Sequence, residues 1–306
     1  MAKREATVRT RSALPLLCLA VLVLAALFGA ADPPPTATPP PGGAGAGSME
    51  EVSKQLSNPI ASIWSIAFQQ NNYRLEFTGH SDQWNSNFNF QPMLPVGLTD
   101  DWGLITRPVV TLVNSAPHPG RHDPSQLERT TKLGDTILTE MVAPSARLVG
   151  NWLLGIGPTF TFPTATSDFT GQGRWQVGPA AMVGYMAQKW IAGVFLQNWT
   201  SFAGDSRRPG TNQMNLMPIA AFFLPNRWTI GYSGNIIANW KADSSEAWTI
   251  PIGSGASKLL MAGRLPVKLG VAAQYMVRHP SNFGQKWNVQ INIVPVIPKL
   301  VKGNLL

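Results

Sequence analysis

Charge is scarce in this chain. Asp, Glu, Lys and Arg together make up 13% of its 306 residues, about half of the quarter that a soluble domain ordinarily carries. A cytosolic enzyme of this length needs more. Cysteine is nearly missing as well. The single one, Cys18, falls inside a segment read below as a leader, so the remaining chain has no disulfide and no thiolate metal site. Leu17 precedes it, where lipidation would need a small residue. After residue 31 there is no run of ~20 predominantly apolar residues, which excludes a second membrane helix. Dinucleotide-binding fingerprints are absent too.

What the chain does have is 28 Gly, 26 Pro and 11 Trp. Gly and Pro punctuate strands and turns, and this density of aromatics argues against disorder. Lys3, Arg4, Arg9 and Arg11 precede an apolar stretch within Ala13 to Phe28, and Gly29-Ala30-Ala31 supplies small residues. Residues 1–31 therefore read as a secretory signal cleaved before Asp32; an uncleaved anchor helix is the alternative. These residues hold four Lys/Arg and one Glu, so removing them lowers the net charge from +8 to +5. That excess is small and dispersed, and nothing reads as a nucleic-acid surface. Residues 32–48 (DPPPTATPPPGGAGAGS) form a Pro-, Ala- and Gly-rich spacer that cannot build a core. Residues 49–306 remain as one folded unit.

That unit alternates with a period of two. Leu265, Val267, Leu269, Val271, Ala273, Tyr275 and Val277 share one face, against Lys268, Gly270, Ala272, Gln274 and Met276. Val289, Ile291 and Ile293 oppose Asn288, Gln290 and Asn292, and Phe88 and Phe90 oppose Asn87, Asn89 and Gln91. Trp228, Ile230 and Tyr232 oppose Thr229, Ser233 and Asn235. Strands are expected near 84–98, 102–113, 133–144, 151–163, 175–186, 190–200, 213–223, 228–240, 248–257, 265–277 and 287–298.

A β-sandwich would alternate too, so the connections decide. Segments 99–101, 145–150, 187–189 and 224–227 are short, and 258–264 is somewhat longer. Segments 114–132, 164–174, 201–212, 241–247 and 278–286 are mostly longer and polar. Short turns at one end and long loops at the other characterise outer-membrane barrels. Tryptophan agrees: Trp84, Trp175, Trp199, Trp240, Trp248 and Trp287 fall beside long loops, and Trp102, Trp152, Trp190 and Trp228 beside short turns. Two such girdles match the two membrane interfaces. The fold class is thus an all-β, transmembrane antiparallel β-barrel. Eleven strands would leave the N-terminus outside. A further strand within 60–79, where Tyr73, Leu75 and Phe77 alternate with Arg74, Glu76 and Thr78, brings the count to about 12; residues 60–68 could instead lie inside or below the barrel. Pro92, Pro108, Pro158, Pro179, Pro218 and Pro295 sit within expected strands, where each removes a ladder donor, so bulges are expected there.

Chemistry is sparse. His118, His122 and Asp123 could hold a metal weakly, but Pro119 and Gly120 break any helical spacing; the segment reads as a solvated outer loop. Gly253 to Lys258 lacks the spacing of a phosphate loop. Ser206 has no nucleophile elbow around it. A barrel phospholipase would need a Ser/His pair at one membrane height, and His80 and His279 near outer strand ends keep that alternative open. No catalytic, cofactor or metal residue is assigned. Inward charge is where a conduit keeps selectivity. Arg107 shares parity with Thr111, and Lys268 with Gln274. Asp135 and Glu140 are natural partners for them, yet have opposite parity in one strand. The lumen-lining candidates are Arg107, Lys268, Gln274, Asn235 and Asn292.

Several motifs carry a family likeness in order along the chain: Asn58-Pro59-Ile60-Ala61, Leu104-Ile105-Thr106-Arg107-Pro108, Leu133-Gly134-Asp135-Thr136, Gly155-Ile156-Gly157-Pro158, Trp199 to Asp205, and Trp248-Thr249-Ile250-Pro251. Across about 58–298 the chain resembles the outer-membrane proteins named after the meta-pathway of phenol degradation, often mislabelled neuromedin U. The resemblance implies a barrel linked to uptake of aromatic or other small compounds, with no catalytic residues. Three functions follow as expectations. The first is passive passage of small, aromatic or apolar solutes through the outer membrane of a Gram-negative bacterium. The second is a structural barrel packed shut; the third is a secreted β-protein binding a hydrophobic ligand. Outer-membrane lipid and a small solute are the expected partners.

Overall fold

The structure is a computed structural model and describes residues 49–76, 81–120, 123, 126–299, 301 and 304. The proposed signal with Cys18, the spacer 32–48, and Phe77, Thr78, His80 and His122 lie outside the described residues. Alternating apolar and small polar residues form strands β1 (Ser65–Leu75), β2 (Gln83–Gly97), β3 (Trp102–Pro119), β4 (Leu127–Leu133), β5 (Thr136–Pro144), β6 (Trp152–Phe162) and β7 (Arg174–Met186). The second half supplies β8 (Trp190–Gly204), β9 (Asn212–Leu224), β10 (Trp228–Tyr232), β11 (Ile236–Asn239), β12 (Trp248–Ala262), β13 (Leu265–Arg278) and β14 (Gln285–Pro295).

Every neighbouring pair is antiparallel, and β1 pairs with β14 from Phe68↔Ile293 to Leu75↔Gln285, so the sheet closes. Two of the named strands are halves of others. β10 and β11 share the same neighbours, β9 and β12, while β4 and β5 both pair with β3. The result is a closed 12-strand antiparallel barrel. Short turns gather at one end. At Gly263 the backbone has a φ of 63°, and the turn before β10 puts Asn226 and Arg227 at φ 57° and 64°. Two consecutive positive values are what a tight hairpin with the natural strand twist requires. The turn into β13 is shorter than the segment 258–264 expected for it, because β12 continues to Ala262.

The in-strand prolines are accommodated mostly without bulges. Pro158 faces Pro179 across an unbroken β6–β7 ladder. The lost rungs lie on the other sides, between Thr139↔Thr159 and Val142↔Ile156 and between Val177↔Thr200 and Ala180↔Gln197. Register is the same before and after each gap. Glycine precedes both prolines because a Cβ on Gly157 would collide with the Glu140 carbonyl, and one on Gly178 with that of Asn198. Pro92 similarly falls opposite Pro108, inside a gap between Phe90↔Val110 and Leu94↔Thr106, so two missing donors share one interruption. Among the described strand prolines only Pro251 borders a register shift, against β13. The expectation of bulges is corrected accordingly: opposed prolines concentrate the loss instead.

One interruption is larger. Residues 233–235 separate β10 from β11, between Pro218 on β9 and Pro251 on β12. Rungs to β9 stop at Gly231↔Ala221 and resume at Ile236↔Leu216. Ser233 N–H still donates to the Gly253 carbonyl at 3.2 Å. Here the ladder is interrupted on both sides of the same strand.

At the long-loop end, β3 and β4 extend as a hairpin. His118 is therefore not in a solvated loop: it is 6% exposed and its ring stacks on Phe169 at 4.0 Å and 7°. The closing seam carries ion pairs, with Asp82 to Arg74 at 3.1 Å and to Lys286 at 3.3 Å, and Glu76 to Lys286 at 3.5 Å. Desolvation of the Asp82 carboxyl is outweighed by hydrogen bonds from Lys286 and Arg74, which hold it below the ordinary carboxylate range.

Candidate functional site

Strand alternation assigns the faces. Val271, Tyr275, Val289 and Ile293 are exposed on the outside of the closed sheet, while Lys268, Gln274 and Asn288 are buried within it. Seven tryptophans (84, 102, 152, 175, 190, 240 and 287) are exposed near strand ends. Trp199 departs from the girdle expected of it. It is 6% exposed and points into the lumen, where its Nε1–H donates to Thr159 Oγ1 at 3.0 Å. Its parity on β8 matches Gln197 and Phe195, both buried.

The bore has two different walls. On β14, β1 and β2, joined by Gln274 of β13, the inward side chains include a run of amides bonded to one another. Gln274 Nε2 donates to Ser233 Oγ at 2.9 Å, Asn288 Nδ2 to Gln274 Oε1 at 3.2 Å, and Asn71 Nδ2 to Asn87 Oδ1 at 2.8 Å. Gln91 Nε2 donates to Gln69 at 2.9 Å, and Gln290 Nε2 to Asn292 at 3.1 Å. On β5 to β9 the inward residues form an apolar cluster of Met141, Leu153, Ala180, Met182, Ile191 and Phe195. Above it, Gln197 Nε2 donates to Thr139 at 2.6 Å and Thr159 at 3.1 Å in a fully buried polar knot.

A segment preceding β1 occupies the short-turn end of the bore. Glu50 and Glu51 in its first turn and Lys54 in its last suit the dipole of helix α1 (Met49–Gln55). Asn58-Pro59 ends the helical run, with Asn58 Oδ1 accepting the Ile60 N–H at 3.0 Å. Ile60 then packs against the apolar cluster, and a Cβ on Gly155 would stand 3.6 Å from it. Trp64 is 7% exposed and donates through Nε1 to the Pro95 carbonyl at 2.7 Å. On the opposite wall Lys268 Nζ donates to Ser57 Oγ at 2.6 Å and to the Ser53 carbonyl at 3.3 Å. Segment 49–64 is thus a plug pinned between the two walls.

The five lining candidates end in different places. Lys268 is turned to the plug and is 7% exposed. Gln274 belongs to the amide wall and is also buried, whereas Asn292 is half-buried beside Gln290. Asn235 sits in the 233–235 interruption, exposed, at a register position on the Thr229 face. Arg107 Nη2 donates to Gln91 Oε1 at 2.9 Å, and its guanidinium lies 5.8 Å over the Phe195 ring. The carboxylates expected beside it are elsewhere. Asp135 accepts loop N–H groups of Ala165 and Gln172, and Glu140 shares the outward register of Thr106, whose hydroxyl donates to it at 2.7 Å.

The sequence reading missed Ser53, Ser57 and Thr229. Ser57 precedes Asn58-Pro59, a local stop signal that could have marked the end of the helical run. Thr229 is 6% exposed and its hydroxyl has no hydrogen-bond partner. A cavity of about 250 Å³ lies between the plug (Leu56, Ser57) and the small residues of β10, β12 and β13, with Lys268 and Thr229 in its wall. Among the described residues no three His, Cys, Asp or Glu side chains gather as a metal site. His279 faces Glu76 at 3.7 Å, with its Nδ1 2.8 Å from the Pro280 carbonyl.

No protein-family model matches the chain, and no curated protein does. Among solved structures, the COG4313 outer membrane channel from Pseudomonas putida F1 is similar, at TM-score 0.54 and 16% identity over 79% of this chain and 98% of that one. Outer membrane phospholipase A from Escherichia coli aligns at TM-score 0.44 and 10% identity, covering 83% and 100%. The fold of this chain is that of an outer-membrane β-barrel.

Proposed function

We propose that the protein is an outer-membrane channel for small, weakly polar organic solutes, closed at its periplasmic end by segment 49–64. One observation carries this reading: the wall and the plug do not fill the bore, and a cavity of about 250 Å³ remains where they meet. The short-turn end is read as periplasmic, following secretion through residues 1–31. The lining suits solutes that are neutral overall. Amides offer hydrogen bonds without fixed charge, and the facing apolar wall accepts a ring or alkyl body. Tyr232 and Ser233, where the wall loses its rungs, border the same cavity, so an apolar solute held there has lipid beside it. The similarity to a channel and the motif resemblance to phenol meta-pathway proteins support the same class, aromatic compounds included.

The closed amide wall favours a second reading, a structural barrel whose bore never conducts. Liposome swelling separates the two. Vesicles containing the purified protein should swell in benzyl alcohol or small neutral amides faster than empty ones, and faster still when residues 49–57 are removed. Equal rates for all three would support the structural barrel.

A further inference from the structure

The cavity between plug and wall contains more chemistry than neutral passage requires. Lys268 is 7% exposed and Thr229 6%, and both line it. An ammonium has three donors. Two of those on Lys268 are taken by Ser57 Oγ and the Ser53 carbonyl, which leaves one without a partner. Both acceptors are neutral, and Lys268 has no carboxylate partner among the described residues. The Thr229 hydroxyl is likewise buried and unpaired. A buried cation without a counter-ion, beside an idle hydroxyl and an empty space, is a costly arrangement unless something anionic visits.

We infer that this cavity is a binding site for a small monocarboxylate with an aromatic or short aliphatic body, and that the bound carboxylate draws Lys268 away from the plug. The charge count selects the ligand. One negative charge neutralises one ammonium; a dianion would bury an excess charge with no second cation to meet it. The volume selects the body, since about 250 Å³ is at or below the small end of ordinary ligand pockets (roughly 300–1,000 Å³). Leu56, Ala221 and Ala272 provide an apolar lining for a ring. Competition follows from bond strength: an ammonium–carboxylate hydrogen bond is about twice as strong as one to a neutral oxygen. A carboxylate that takes the free donor therefore weakens the hold on Ser53 and Ser57, and the ligand loosens its own barrier. This rests on the channel reading, with Lys268 and Ser57 as positioning residues of the plug.

Isothermal titration of the purified full barrel in detergent, with benzoate and benzyl alcohol as probes, tests it. Benzoate should bind about tenfold more tightly than benzyl alcohol, the scale of one hydrogen bond to a charged group. Lys268→Met should bring benzoate down to the benzyl alcohol level. Ser57→Ala frees the ammonium and should tighten benzoate about threefold, an effect that a purely structural serine would not produce. If Lys268→Met does not fold, Thr229→Val should still weaken benzoate relative to benzyl alcohol. Benzoate binding no better than benzyl alcohol, or indifferent to Ser57→Ala, overturns the inference. Vesicles that still swell in neutral solutes would then leave the channel reading standing; vesicles that do not would remove both.

Discussion

The two walls of the bore are built on the same strand repeat and solve different problems. On β14, β1 and β2 the inward positions are rich in Asn and Gln, and with Gln274 of β13 they satisfy one another around Asn71 and Asn288. On β5 to β9 the inward cluster toward the short-turn end is Met, Ile, Leu, Phe and Ala, and Ile60 of the plug packs against that surface. Hydrogen bonds are directional, so the amide wall keeps a shape of its own. Apolar packing needs a partner, so the other wall takes the plug. The comparison teaches that barrel closure and bore closure are separate: amides line the closing seam, while the apolar wall and one lysine hold the plug.

Mutations can break this distinction. The largest effect is expected from Ile191→Asp. Ile191 is 1% exposed in the apolar wall, and an unpaired charge there should cost about 3–5 kcal/mol, read as loss of heat-resistant mobility in gels. Asn288→Leu on the amide wall should cost about 1–3 kcal/mol, because it removes the donor to Gln274 and leaves that acceptor unpaired. If the two variants are equally damaging, the walls do not differ as described.

The faces provide an intermediate test. Val271→Arg, on the lipid side, should destabilise by about 2–4 kcal/mol near the midplane, whereas Asn292→Arg, half-buried inside, should stay within about 1 kcal/mol. Gln274 is not a tolerant position. Its amide is buried and bonds to Ser233, Gln290 and Asn288, so a larger cation would break all three.

These faces were legible in the sequence because a period of two is a local property. Residues 265–277 and 287–293 state it outright, and their register follows from it. The turn ends were legible for the same reason, and so was the need for a first strand before residue 79. Trp199 was misplaced because position along a strand fixes height in the membrane but not face; its parity with Gln197 was the available clue. The plug was legible only in part, as the alternative that residues 60–68 lie inside or below the barrel; its helix and its contacts were not. Its contacts to Lys268 span more than two hundred residues, and nothing in MEEVSKQLSNPI announces which strand it meets. The proline pairs had the same character: Pro158 and Pro179 look like two separate faults until antiparallel pairing puts them opposite each other.

The smallest effect concerns the outer loops, which belong to neither wall. The Arg207 guanidinium beside Asp205 holds its carboxyl down to about 2 from an ordinary value of 3.8. A depressed carboxyl contributes order above its unfolded value and loses it as pH falls through the folded one. Loop 205–211 should therefore resist pepsin near pH 4 and become cleavable near pH 2. Arg207→Gln should move that onset upward, with the barrel itself intact.

Single-channel conductance in planar bilayers tests the central claim most directly, comparing the full barrel with a variant lacking residues 49–57. The account predicts small or rare openings for the full barrel and a larger, steady conductance once α1 and its contacts to Lys268 are gone. An unchanged, silent trace from a correctly folded variant would contradict it, because the walls alone would then close the bore.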